Sequence, residues 1–226
     1  MNSVRRIVLA GAALGLALAA VATDASAANK QPQHCDAYFN KNLILNPGAE
    51  DGPGADDDTV VPVPYWKQTG GFTAAQYAWD GGDLSPTTPG PKDRGKNYFY
   101  GGPDAARSTG TQVCIIPKTL VSSGKTTFVL TGWLGGFSDQ GDDATLNALF
   151  ENSAGAVLAS AHIGPVTAVQ RHDQSELLFR ATTGTVPSAT RQVEIQLVMI
   201  KYVGSDNDGL ADNLALVFPG EQLPGH

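Results

Sequence analysis

The chain is short of cysteine, histidine, basic residues and long apolar runs, and each shortage removes a class of protein. Two cysteines and four histidines among 226 residues leave no zinc-ligand spacing. Lys and Arg number 15 against 22 Asp and Glu, a formal net charge of −7. That balance argues against nucleic acid or an anionic membrane as partner. Beyond the N-terminus no apolar stretch could span a bilayer. Catalytic motifs are missing as well. The G-x-S-x-G elbow is absent, and Gly136-Phe137-Ser138-Asp139-Gln140-Gly141 comes near it with the wrong spacing. Gly124-Lys125-Thr126 lacks the upstream glycine of a phosphate loop. Asp142 and Asp143 are adjacent on one turn, not opposed as glycosidase carboxylates are. The expectation is a protein that is not an enzyme.

At the N-terminus, Arg5 and Arg6 precede the apolar run IVLAGAALGLALAAVA, and Ala25-Ser26-Ala27 forms an A-x-A site. Residues 1–27 therefore read as a cleaved signal peptide, and the product as secreted. The paired arginines leave the twin-arginine route open, although Val4 stands where that motif has Ser or Thr. An arm (28–41), one domain (42–218) and a tail (219–226) follow, and a monomer is expected. Cys35 and Cys114 both survive cleavage. In an exported chain an even pair reads first as a disulfide, the alternative being two unpaired thiols.

Twenty-six glycines and 14 prolines leave little room for long helices, and no window keeps apolar residues at helical spacing for three turns. Short β-rich runs recur instead: 42–45, 71–79, 96–100, 110–116, 125–136, 144–152, 155–163, 175–181, 191–201 and 212–218. The expected fold is all-β, a two-sheet antiparallel β-sandwich. Alternation assigns faces. Val193, Ile195, Leu197 and Met199 point one way, with Gln192, Glu194 and Gln196 opposite. Segment 144–152 could be a short helix on propensity, but its neighbours favour a strand. The glycine- and proline-rich stretch 80–96 is long enough to form a lid or rim over a binding face.

Asn46-Pro47-Gly48-Ala49-Glu50 and Ala211-Asp212-Asn213-Leu214 each join an acidic residue to a strand-like run. If those two runs lie side by side, Glu50 and Asp212 become neighbours and repel unless a proton or cation intervenes. Ca2+ with oxygen ligands answers that need; the alternative is two ordinary turn acids. Asp206-Asn207-Asp208-Gly209 resembles the start of a calcium loop, although no closing Glu or flanking helix follows. Asp208 either joins the cation or sits in a polar hairpin turn. Among aromatics, Trp66 is expected at a core edge. Trp133 lies opposite Phe128, Leu130 and Leu134, so it faces outward if those three face the core. It is the first candidate for stacking on a sugar ring, Trp79 the second, with Tyr77 on the face of Trp79. The alternative places Trp133 in the core.

Taken together, NPGAE, the Pro64-Tyr65-Trp66 turn, GWLGGFSDQGDDA, VPSATRQVEIQL and NDGLADNLALV resemble bacterial secreted domains of the galactose-binding-like jelly-roll superfamily, which includes many carbohydrate-binding modules. The resemblance runs from Asn42 to Phe218. It implies a jelly roll with one structural Ca2+ held by Glu50 and Asp212, helped by a main-chain carbonyl such as that of Gly48. It also implies recognition of an extracellular glycan or cell-surface ligand. Competing expectations are a structural or adhesive protein that binds a protein partner, and a hydrolase of unrecognised type.

Overall fold

Ten strands alternate with turn-rich connections: β1 (Lys67–Thr69), β2 (Thr73–Gln76), β3 (Asn97–Gly102), β4 (Arg107–Ile115), β5 (Thr127–Gly136), β6 (Asp143–Glu151), β7 (Val157–Ile163), β8 (Glu176–Thr185), β9 (Gln192–Ile200) and β10 (Asn207–Val217). A computed structural model describes residues 39–220 of the chain. The expected signal peptide, Cys35 and the end of the tail lie outside the described residues. Sheet one has the order β1-β4-β9-β6-β7 and sheet two β2-β3-β10-β5-β8. Pairing runs β3 with β10, β4 with β9, β5 with β8 and β6 with β7, always antiparallel. The chain from β3 to β10 is thus one long hairpin ribbon folded over itself, which is the jelly-roll winding. β2 and β1 extend the β3 and β4 edges.

The alternation read from the sequence is the alternation found. Val193, Ile195, Leu197 and Met199 of β9, and Ala144, Leu146, Ala148 and Phe150 of β6, are fully buried between the sheets. Segment 144–152 is a strand because β7 and β9 satisfy its backbone on both sides; that pairing overrides its helix propensity. Trp66 lies within the core, its ring 5.3 Å from Phe99 and 5.9 Å from Phe72. Each of these buried Val, Ile, Leu, Met or Phe side chains stabilises the fold by roughly 1.5–3 kcal/mol.

Two expectations need correction. Residues 42–45 lie beside β10 but form only an isolated bridge, Asn42 to Val217, and not a strand. The Asn42 side chain replaces the ladder: its Oδ1 accepts N–H bonds from Ile44 and Leu216, and its Nδ2 donates to the Leu214 carbonyl. Leu43 N–H still donates to Leu216 O at 2.8 Å and Leu214 N–H to Pro47 O at 3.0 Å. The acidic turn also begins β10 early. Asn207 and Asp208 are strand residues, with a register shift between Asn207 and Leu210 against β3.

A second apolar cluster lies on the outer face of sheet two, where Leu84 of the 77–96 connector joins Ala75, Tyr77, Tyr98, Tyr100, Leu177 and Leu210. Arg94 braces that connector by donating to the Pro91, Ser85 and Thr88 carbonyls. The connector is therefore packed down on sheet two through Leu84. No helix among the described residues is long and apolar enough to cross a membrane. If the Asn42 clasp holds the N-terminal segment as described, Asn42→Ala lowers the unfolding free energy by about 1–2 kcal/mol. The urea midpoint reads this, and an unchanged midpoint refutes the clasp.

Candidate functional site

The clasp brings the two acids of the end motifs together. Asp212 is 0 % exposed, on the outer face of the central strand β10. Its Oδ2 accepts the Tyr77 hydroxyl at 2.8 Å and its Oδ1 the Asn213 N–H at 2.7 Å. Burial pushes its carboxyl up to about 7, Tyr77 and the Asn213 N–H pull it down, and the nearby Glu50 charge adds to the rise. Glu50 accepts N–H bonds from Lys96 and Asn97 at 2.9 Å. Gly48 sits between them. A β-carbon placed there would stand 3.2 Å from Asn213 Oδ1, 3.3 Å from Asp212 Oδ1 and 3.8 Å from Glu50 Cγ.

A side chain at Gly48 would press on the Asp212 carboxylate, the Asn213 amide oxygen and the methylene chain of Glu50. No group of three His, Cys, Asp or Glu side chains among the described residues could hold a metal ion. A cation here would need main-chain oxygens and water to complete its shell. That donor set, all oxygen and irregular, fits Ca2+ and does not fit Zn2+.

Asp208 does not belong to this group. It lies four residues from Asp212 along β10, roughly 13 Å in extended chain. The charges that act on it are Asp142, Asp206 and Asp58, whereas Glu50 and Arg94 act on Asp212. One cation cannot bridge both positions.

The aromatic candidates separate as well. Tyr77 is 3 % exposed, its hydroxyl is committed to Asp212, and Arg94 covers its ring at 4.9 Å; it has no face for a sugar. Trp79 is half-buried with its ring 6.4 Å from Tyr100. Trp133 is half-buried on the outer face of sheet two, opposite Phe128, Leu130 and Leu134 of the core. Its ring meets Phe179 edge-on at 5.7 Å. Phe179, which is 51 % exposed, continues that patch on the edge strand β8.

Sheet one offers a different surface. On its outer face a groove of about 420 Å³ runs over β4, β9 and β6, with Pro165 of the β7–β8 connection in its lining. Register sets the side chains in rows: Arg107 and Asp143 flank Ile200, and Asn147 pairs with Gln196. Val198, Ile200 and Leu149 supply an apolar floor, and Tyr202, 64 % exposed, forms one wall. Burial, then the Asp142 charge, lifts the Asp143 carboxyl to about 6. Sequence reasoning missed this groove. Its only signal was a polar wet face on two neighbouring strands, and which residues face each other depended on a register not legible in the sequence.

Neither a scan against protein-family models nor a search of curated proteins finds a match. Solved structures do match in fold. The enzymatically active domain of bacteriophage CBA120 tailspike protein 4 aligns with TM-score 0.50 at 17 % identity, over 78 % of this chain. This chain spans only 21 % of that one. TmCBM61, solved with β-1,4-galactotriose, aligns with TM-score 0.46 at 15 % identity, over 79 % of this chain and 99 % of that one. The C-terminal family 22 carbohydrate-binding module of Clostridium thermocellum Xyn10B aligns with TM-score 0.43 at 10 % identity, over 82 % and 96 %. At these identities the likeness concerns fold, and the strand order states the same class independently: a jelly-roll sandwich whose structural neighbours include carbohydrate-binding modules.

The Asp212 pairing makes a direct prediction. Tyr77→Phe deletes a hydroxyl donor to a buried carboxylate, so in chelator it costs about 1–3 kcal/mol of stability. A variant as stable as the parent by chemical denaturation means that Asp212 does not depend on this bond.

Proposed function

We propose that the protein is a secreted, non-catalytic carbohydrate-binding module with a structural Ca2+ at Glu50 and Asp212 and a Cys35–Cys114 disulfide. Cys114 is buried on β4 and is not free; its expected partner lies outside the described residues. The observation that carries the reading is the groove on sheet one. It combines an apolar floor, an exposed tyrosine and a row of planar polar side chains, which is what a sugar's C–H faces and hydroxyls require. Asn147 and Gln196 present amides that donate and accept, and Arg107 and Asp143 add one group of each sign.

A second reading rests on the Trp133–Phe179 patch. An aromatic pair on an edge strand suits a protein partner or a shorter glycan contact. Binding to a soluble polysaccharide panel by affinity electrophoresis and calorimetry separates the two. Asn147→Ala with Gln196→Ala is expected to weaken glycan binding at least tenfold, while Trp133→Ala leaves it within twofold. Loss in Trp133→Ala alone moves the site to sheet two. No binding to any glycan favours the protein-partner reading, and turnover of a glycosidic or ester substrate would make the protein a hydrolase.

The cation reading has its own test. At calcium a hundredfold above its dissociation constant, a folded-state site adds about 2.7 kcal/mol. In a domain of this size that raises Tm by roughly 5–10 °C. Asp212→Asn, which preserves shape and an acceptor for Tyr77, is expected to shrink the rise. A rise of equal size in parent and variant argues against Asp212 as a ligand.

A further inference from the structure

The 77–96 connector carries a cavity of about 600 Å³, separate from the groove on sheet one. Its volume falls within the roughly 300–1,000 Å³ of small-ligand sites. Three of the chain's 15 basic residues, Lys92, Arg94 and Lys96, line it, and no acidic side chain does. In a chain with a formal net charge of −7, that is a local reversal of sign, and it favours an anion. None of the three side chains bonds to a carboxylate among the described residues. Glu50 meets Lys96 only through the main-chain N–H.

Arg94 is the fixed element of this wall. Its guanidinium lies 4.9 Å from the Tyr77 ring and donates to the Pro91, Ser85 and Thr88 carbonyls. Those bonds occupy three of the five N–H donors of an arginine and leave two for a ligand. Carbonyls orient a guanidinium without neutralising it, so the charge stays available to a carboxylate. Gly90 keeps the approach open. Its φ is not positive, so the backbone does not call for glycine, yet a β-carbon there would stand 3.3 Å from Arg94 Nη2 and 3.4 Å from Leu177 Cβ. The rest of the lining exceeds what a bare anion needs. Ala78, Pro86 and Pro91 supply apolar surface, which suits the C–H groups of a ring. Gln76 gives its Nε2 to the Pro53 and Gly54 carbonyls, which leaves its Oε1 to accept from a hydroxyl.

We propose that this cavity binds a sugar acid, a uronate residue whose carboxylate is held by Arg94 with Lys92 and Lys96 beside it. The ring's C–H groups rest on the prolines, and one hydroxyl donates to Gln76. This adds a charged subsite to the neutral groove on sheet one, and it rests on the carbohydrate-binding reading for the sugar body of the ligand. The preference for an anion rests on the lining alone.

Backbone-amide NMR titration of the full chain, at constant Ca2+, compares galacturonate with galactose, which differ only at C6. Galacturonate is expected to shift the amides of Gly90, Gly95 and Lys96 and to bind at least tenfold more tightly than galactose, less so as salt is raised. Lys92→Gln/Lys96→Gln, at two exposed positions, is expected to lose at least tenfold in affinity with Tm unchanged. Lys92→Arg/Lys96→Arg, which keeps the charge, stays within threefold of the parent. Asn147→Ala/Gln196→Ala, which tests the groove, leaves galacturonate binding unchanged, so the two sites fail separately. The proposal is overturned if galacturonate and galactose bind alike, if the Lys92→Gln/Lys96→Gln variant binds like the parent, or if the groove variant loses the acid. Inorganic sulfate binding as tightly as galacturonate overturns it too, because the apolar wall and Gln76 then contribute nothing.

Discussion

The central position of β10 is the constraint around which sheet two is organised. The strand is paired on both sides, with β3 and β5, and carries Ala211, Leu214 and Leu216 into the core. Its outer face holds Asp208 and Asp212, both buried. A carboxylate in that position is costly unless donors or cations compensate it. The Tyr77 hydroxyl, the Asn213 N–H, the approach of Gly48 and the Arg94 guanidinium near Tyr77 all lie around Asp212. They are the local response to that cost.

The two sheets accordingly do different work. Sheet two is closed by its connector, with Leu84 sealed against Tyr98, Tyr100, Leu177 and Leu210, so its outer face is largely interior. Sheet one carries the groove on its outer face. Its strands β4, β9 and β6 present Thr, Asn, Gln, Arg and Asp over an apolar floor. A face that is polar without being strongly charged suits a neutral, hydroxyl-rich ligand better than nucleic acid or lipid.

Much of this was readable in advance. The periods of β6 and β9 and the outward face of Trp133 followed from alternation. Other features were not. Residues 42–45 look like a strand, but the Asn42 side chain takes over the bonds that a ladder would make. Tyr77 looks like a binding aromatic, but Asp212 and Arg94 claim both its hydroxyl and its ring. Asp208 looks like a partner of Asp212, but strand rise keeps them apart. For residues 42–45 and Tyr77 contacts distant in sequence decided the outcome; for Asp208 the rise of its own strand did.

By itself the sequence determined the periodicity, and hence which side of each strand is apolar, because side chains alternate in any extended chain. It also determined the acidic balance. Tertiary structure alone decided register and coverage. Asn147 faces Gln196 across two strands, and Tyr77 bonds to Asp212 from 135 residues away. Both meetings depend on how the ribbon closes on itself, and a linear pattern of residues carries no term for that closure.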